Sequence, residues 1–182
     1  MRLIIVHRWD GSPEADWYPW LRREAERRGL SVQVPALPEP DYPRIEPWVR
    51  TLRSLRPDQD TILVGHSLGC QTILRALDRP VRGAVFVAGF FALHDLEGPE
   101  SEEIAAPWVA PFPLARAKAS LPKLTVLLSD NDPWVDPEEN GRLFRDRLGA
   151  EVIVLGSRGH FTGEDHVLKL PEALRAVEAM AR

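Results

Sequence analysis

A chain of 182 residues with 44% hydrophobic and 27% charged side chains has the balance of one globular domain large enough for a sizeable core. Its net charge of −4 supplies no basic field for nucleic acid or acidic lipid, and no apolar stretch approaches the length of a membrane span. The single cysteine, Cys70, excludes an intramolecular disulfide and a multi-cysteine zinc site. The opening apolar run, Leu3 to Val6, is too short for a signal peptide and lacks a small-residue cleavage site, so a cytoplasmic location is expected.

Leu3 to Val6 is a continuous apolar run, as a strand buried on both faces requires. The loop His7-Arg8-Trp9-Asp10-Gly11 follows. Ser12 as N-cap and Pro13 at the first helical position then predict a helix whose inner face is Trp17, Trp20, Leu21 and Ala25, closed by Gly29. Ser31 to Pro35 reads as a second strand, and the four prolines between Pro35 and Pro43 as a loop. Ile45, Trp48, Val49, Leu52 and Leu55 recur at helical spacing.

Thr61 to His66 is a β-branched and apolar strand that ends abruptly in Gly65-His66-Ser67-Leu68-Gly69, and apolar residues recur beyond it at Cys70, Ile73, Leu74 and Leu77. Strand, sharp turn and helix in that order are what a nucleophile elbow needs. Further strands are expected at Ala84 to Ala88, Leu124 to Ser129 and Val152 to Leu155, with helices at Pro137 to Leu148 and Pro171 to about Ala181. This alternation implies a parallel sheet covered on both faces. The rhythm breaks at 89–122, a proline-rich stretch with an acidic cluster from Glu97 to Glu103 and apolar residues at Phe90, Phe91, Trp108, Val109 and Phe112. A small cap over the top of the sheet, or a mere connector, would account for it.

A serine hydroxyl becomes a nucleophile when a base takes its proton, and that base is normally a histidine held in one tautomer by a carboxylate. With Ser67 at the elbow, His160 lies in the loop past the last strand, where such a base belongs. Asp130, Asp132 and Asp136 follow the fifth strand. Asp136-Pro137-Glu138-Glu139 is a helix-capping pattern, while Asp130 and Asp132 remain equal candidates on sequence physics alone. The Leu68 N–H, with Arg8 or Trp9 from the first loop, would hold the oxyanion. His7 is expected to shape that loop, His66 to pack beneath it, and His94 to sit in the cap. His166 falls at a helix start, and Cys70 in the core. No histidine pair has metal-ligand spacing, and neither metal nor cofactor is expected.

These pieces resemble the small serine hydrolases of the α/β-hydrolase superfamily, the retinoblastoma-binding-protein-9-like or YdeN-type group. The resemblance is carried by Ile5-Val6-His7, Gly11-Ser12-Pro13, Trp17-Tyr18-Pro19-Trp20-Leu21, Gly65-His66-Ser67-Leu68-Gly69, Pro111-Phe112-Pro113, Ser129-Asp130-Asn131-Asp132-Pro133 and Gly159-His160-Phe161. It implies a three-layer α/β sandwich, a reduced α/β-hydrolase fold of six parallel strands in the order 2-1-3-4-5-6 without the two N-terminal antiparallel strands, in a single domain over 1–182. It also implies that the aspartate before proline, Asp132, completes a triad with Ser67 and His160. Two departures are visible: many relatives carry glycine where Arg8 stands, and the L-x-C-x-E motif is absent.

The expected activity is hydrolysis of a small acyl ester through an acyl-enzyme, with Trp9 and Leu68 as oxyanion donors. Trp9, Trp108, Phe112 and Trp134 are the candidates for an apolar acyl pocket, with core packing as the alternative for each. Amide or thioester hydrolysis, or a non-catalytic interaction module on the same fold, are the alternatives.

Overall fold

The computed structural model describes residues 1–96 and 98–182; Glu97, the first residue of the acidic cluster, lies outside them. In chain order the elements are β1 (Arg2–Val6), α1 (Tyr18–Glu26), β2 (Ser31–Gln33), α2 (Ile45–Ser54), β3 (Thr61–His66), α3 (Leu68–Ala76) and β4 (Gly83–Val87). Next come α4 (Gly98–Val109), α5 (Ala115–Ser120), β5 (Leu124–Ser129), α6 (Pro137–Leu148), β6 (Glu151–Leu155) and α7 (Pro171–Ala181). The six strands form one sheet in the order β2-β1-β3-β4-β5-β6, every neighbouring pair parallel.

Alternation along the strands divides the core into two layers, because successive side chains point to opposite faces. Leu3, Ile5, Ile62, Val64, Val85 and Val87 pack with α1 and α7, through Trp17, Leu21, Leu174 and Val177. Ile4, Val6, Leu63, Phe86 and Val126 pack on the other face with Trp48, Ile73 and Phe144 of α2, α3 and α6. The chain winds outward from β1 in both directions, to β2 on one side and to β3 on the other. Such a reversal leaves a crevice beyond the carboxyl ends of the strands. Val6 pairs with Gly65, so the loop after β1 and the turn after β3 lie side by side at that crevice.

The expected helix start at Ser12 is corrected. Pro13 to Trp17 form turns, and α1 begins at Tyr18 with Trp17 as its N-cap. Asp16 stands at φ 52, which interrupts any right-handed helix. Its carboxylate is drawn instead to Arg8 and to the Gly163 N–H, so a long-range contact overrides the local capping signal. The second strand stops at Gln33 rather than Pro35, since proline has no N–H for the ladder. Glu164 to His166 form a turn, not a helix start. The segment 89–122 contains α4 and α5, with Ile104, Ala105 and Trp108 buried. Among the described residues no helix is long and apolar enough to cross a membrane.

Candidate active site

The elbow is built by close packing. A Cβ on Gly65 would meet the Cys70 nitrogen at 2.7 Å, and one on Gly69 would run into the Val6 carbonyl, so α3 can cross the end of β1 only with glycine at both positions. Ser67 sits between them at φ 52, ψ −116, a strained backbone for a non-glycine residue, and its N–H donates to the Val87 carbonyl at 2.9 Å. This geometry lifts the Ser67 side chain to the floor of a cavity of about 380 Å³ at the carboxyl edge of the sheet. The Leu68 N–H, first in α3, points to the same end of the helix, where backbone donors have no intrahelical partner.

His160 reaches this cavity on a loop bonded to the loop after β5. The Ser129 hydroxyl accepts from the Arg158 N–H at 3.0 Å, the Asp130 carboxylate from Ser157 at 2.7 Å and the Asn131 amide oxygen from Gly159 at 2.8 Å. Asp132 Oδ2 then bonds His160 Nδ1 at 2.8 Å. The other Asp132 oxygen accepts from the Trp134 and Val135 N–H groups at 3.0 and 3.1 Å. Its side chain is 1% exposed, so the carboxylate is spent on these contacts. Because a carboxylate only accepts, His160 Nδ1 carries a hydrogen, which makes Nε2 the acceptor nitrogen of the neutral ring. Trp134 meets the His160 ring edge-on, centroids 4.9 Å apart. Asp130, exposed, holds Ser157 and makes no contact with His160, which separates the two aspartates that sequence physics left equal.

Ser67 and His160 line the same cavity, with no direct hydrogen bond between them. The first loop supplies Arg8, Trp9 and Asp10 to its wall. The Arg8 N–H is taken by the Tyr18 hydroxyl at 3.3 Å, whereas the Trp9 N–H has no partner among the described residues. Arg8 lines the cavity, and its guanidinium is already paired. Its guanidinium donates to Asp16 at 2.9 Å and to the Trp9 carbonyl at 2.9 Å. Burial alone would push the Asp16 carboxyl up, but the Arg8 hydrogen bond, helped by the Gly163 N–H, holds it below the usual aspartate range.

Of the aromatic residues expected to line a pocket, Trp9 and Trp134 do so, and Trp108 and Phe112 are occupied elsewhere. Trp108 is buried against Trp48, its indole N–H donating to the Pro43 carbonyl at 3.3 Å. Phe112 lies under the Arg75 guanidinium, 3.8 Å from ring centroid to Cζ. The apolar wall is instead Leu68, Phe90, Leu93, Leu96 and Ala105. Asp165, also unforeseen, accepts from the His160 and Thr162 N–H groups at 2.9 and 3.0 Å. The Thr162-x-x-Asp165 spacing, a capping pattern, was the available signal.

The remaining candidates have structural tasks. His7 meets the Arg8 carbonyl and accepts from the Leu37 N–H, and burial lowers its pKa. His94 is exposed on Glu139, and His166 is exposed. Burial pushes the Cys70 thiol far up, so it stays a protonated core side chain. Among the described residues no group of three or more His, Cys, Asp or Glu side chains could hold a metal ion.

Comparison with known proteins gives a consistent result. A family model described as Serine hydrolase matches residues 3–179. YdeN of Bacillus subtilis (strain 168) is 33% identical over 96 residues, a stretch covering 49% of this chain and 50% of YdeN. Serine hydrolase RBBP9 of Rattus norvegicus is 28% identical over 167 residues, 90% of this chain and 86% of that protein. The crystal structure of the B. subtilis ydeN gene product superposes with a TM-score of 0.87 at 24% identity, over 98% of this chain and 97% of that one. Carboxylesterase CesB of B. subtilis shares the fold at a TM-score of 0.61 and 15% identity, over 98% and 82% of the two chains.

Proposed function

The chain belongs to the serine hydrolase family, and we propose that it cleaves small acyl esters through an acyl-enzyme on Ser67, with His160 as base and Asp132 as its orienting carboxylate. The observation that carries this reading is the Asp132–His160 hydrogen bond of 2.8 Å. It orients the imidazole and assigns the hydrogen of the neutral ring to Nδ1, with Nε2 as the acceptor, in a cavity that Ser67 also lines. Ser67 Oγ attacks the acyl carbonyl carbon as its proton passes to His160 Nε2. The tetrahedral oxyanion is held by the Leu68 and Trp9 N–H groups. The Tyr18 hydroxyl already occupies the Arg8 N–H, which favours Trp9 as the second donor. Collapse expels the alcohol, which takes the proton from His160, and water then cleaves the ester on Ser67 by the same route in reverse. Direct Ser67–His160 hydrogen bonding is expected once substrate is bound, since such bonds are often long in unliganded hydrolases.

The acyl group would lie against Leu68, Phe90, Leu93, Leu96, Ala105 and Trp134. A cavity near 380 Å³ suits a short or medium acyl chain rather than a long one. The test is turnover of p-nitrophenyl esters of graded acyl length beside matched amides and thioesters. The reading expects ester turnover that peaks at an intermediate chain length and disappears in Ser67→Ala. Equal rates for wild type and Ser67→Ala would contradict it.

A further inference from the structure

His66 immediately precedes the nucleophile, and its ring is fully buried between the two loops that flank Ser67. Its Nε2 lies 2.7 Å from the His160 carbonyl oxygen and its Nδ1 lies 2.6 Å from the Tyr18 hydroxyl. The proton positions in this set follow from what each partner can do. A carbonyl only accepts, so His66 Nε2 must carry a hydrogen. Burial, reinforced by the charge that develops on His160, lowers the His66 pKa to about 3, so the ring is neutral and Nδ1 is a bare acceptor. The Tyr18 hydroxyl therefore donates to Nδ1, and burial keeps it protonated by pushing its pKa well above that of ordinary tyrosine. Its oxygen is then free to accept, and what it accepts is the Arg8 backbone N–H at 3.3 Å.

We propose that Tyr18 and His66 are positioning residues for the reaction at Ser67: they form a one-way hydrogen-bond bridge, Arg8 N–H to Tyr18 to His66 to the His160 carbonyl, that sets the oxyanion loop against the base loop. This rests on the hydrolase reading above. One end of the bridge occupies the Arg8 N–H, so that Trp9 N–H is the free donor of the first loop. The other end fixes the backbone of the residue whose imidazole takes the proton. Both ends meet at the residue before the nucleophile, so the three parts of the site share one internal reference. A second link runs beside it, as Asp16 joins the Arg8 guanidinium to the Gly163 N–H at 2.8 Å. The charged and titratable groups facing His66 are thus Asp16, whose Oδ2 is 3.8 Å from Nδ1, Arg8, Tyr18 and His160. Asp16 acts to raise the His66 pKa and Arg8 to lower it, but burial is the largest influence and the ring stays neutral.

Tyr18→Phe removes one oxygen and keeps the buried ring. It frees the Arg8 N–H and leaves His66 Nδ1 without a donor. The experiment measures kcat and KM on a p-nitrophenyl ester per active site titrated with a fluorophosphonate, together with the His66 tautomer by long-range ¹H–¹⁵N NMR of the wild-type protein. The expected result is a fall in kcat of about 10- to 100-fold in Tyr18→Phe with KM within about twofold, because misplacement of reacting groups acts on the transition state. His66→Gln, which keeps a donor and an acceptor, should retain more kcat than His66→Leu, which keeps neither. A purely structural role would lower the titrated fraction and leave kcat per site alone. The wild-type tautomer should be Nε2–H, a reading independent of any variant's folding. A Tyr18→Phe kcat per site within about twofold of wild type, or an Nδ1–H tautomer, would overturn the bridge while the hydrolase stands. Wild-type protein that neither turns over esters nor reacts with the fluorophosphonate would overturn the hydrolase reading, and the bridge's part in it.

Discussion

The loop that carries His160 and the segment 89–122 both border the cavity above Ser67, yet they are held by different means. Four successive residues, Ser129 to Asp132, bond four successive residues, Ser157 to His160, at 2.7 to 3.0 Å. Asp165 and His66 bind the same loop from its other sides. The segment 89–122 is tied at 91–94 and at 107–110. Asn140 accepts from the Phe91 and Ala92 N–H groups, His94 meets Glu139, and the Arg75 guanidinium donates to carbonyls of Pro107, Trp108 and Ala110. Between those anchors it offers the cavity Leu93, Leu96 and Ala105 through apolar contact. Short hydrogen bonds fix direction to fractions of an ångström, while apolar contact fixes only proximity. The base loop should therefore govern kcat, and the segment opposite should govern KM and acyl preference.

The largest expected effect falls on the base loop. Asp132→Asn keeps the size of the side chain, but with its amide oxygen held by the Trp134 and Val135 N–H groups it turns a donor NH2 towards His160 Nδ1 in place of the acceptor. In the serine protease triad, as the general mechanism of such enzymes has it, the same change lowers kcat by about 10⁴. Here a loss of that order is expected with little change in KM, measured at matched folded concentration. Asp130→Asn retains an amide oxygen for the Ser157 N–H and should stay within about threefold of wild type. A crippled Asp130→Asn beside a healthy Asp132→Asn would reverse the assignment of roles.

A smaller and different effect is expected at Arg75, where burial lowers the guanidinium pKa to about 10. Arg75→Met keeps the apolar stem but forfeits the bonds to the end of α4 and the stacking on Phe112. The loss should be about 1–2 kcal/mol of stability. It should appear as faster proteolysis within 89–122 and a raised KM at nearly constant kcat. A fall in kcat alone would break the division between the two regions.

The smallest effect concerns His94. The Glu139 hydrogen bond raises its pKa above the ordinary 6.5, so its stabilisation is complete below that value and is lost as pH rises through the raised one. Both partners are largely exposed, so solvent and salt leave no more than about 0.5 kcal/mol. Thermal melts of wild type and His94→Gln should differ slightly near about pH 6 and coincide near about pH 9. A difference that grows with pH would contradict the pairing.

The strand order was legible only through the family resemblance, but the parallel sheet and the elbow were legible because each rests on local pattern: β-branched runs, alternating helices, and glycines at the two crowded positions around Ser67. Asp136 was legible for the same reason, its carboxylate capping α6 by accepting from the Glu139 N–H. Ser12-Pro13-Glu14 offers almost the same signal and starts no helix, because Asp16 is claimed by Arg8 and by Gly163, 147 positions along the chain. Pairings at such separation leave no periodic trace. The cavity wall was hidden for a related reason. Apolar residues in 89–122 announce burial, but which of them face Ser67 depends on where Arg75 and Asn140 anchor the segment. Trp108 and Phe112 are accordingly spent on Trp48 and Arg75, and Phe90, Leu93, Leu96 and Ala105 face the cavity. His66 reads in sequence as packing beneath the first loop; its contact with the His160 carbonyl emerges only in three dimensions.

If Ser67 is an activated nucleophile, an electrophilic phosphonate should capture it covalently. Native protein is treated with a fluorophosphonate, the adduct is weighed as intact protein, and the modified peptide is sequenced by mass spectrometry. The account predicts a single adduct on Ser67, absent from Ser67→Ala and formed far more slowly in Asp132→Asn. Folded wild-type protein that takes up no label, or that carries it on another residue, would contradict it.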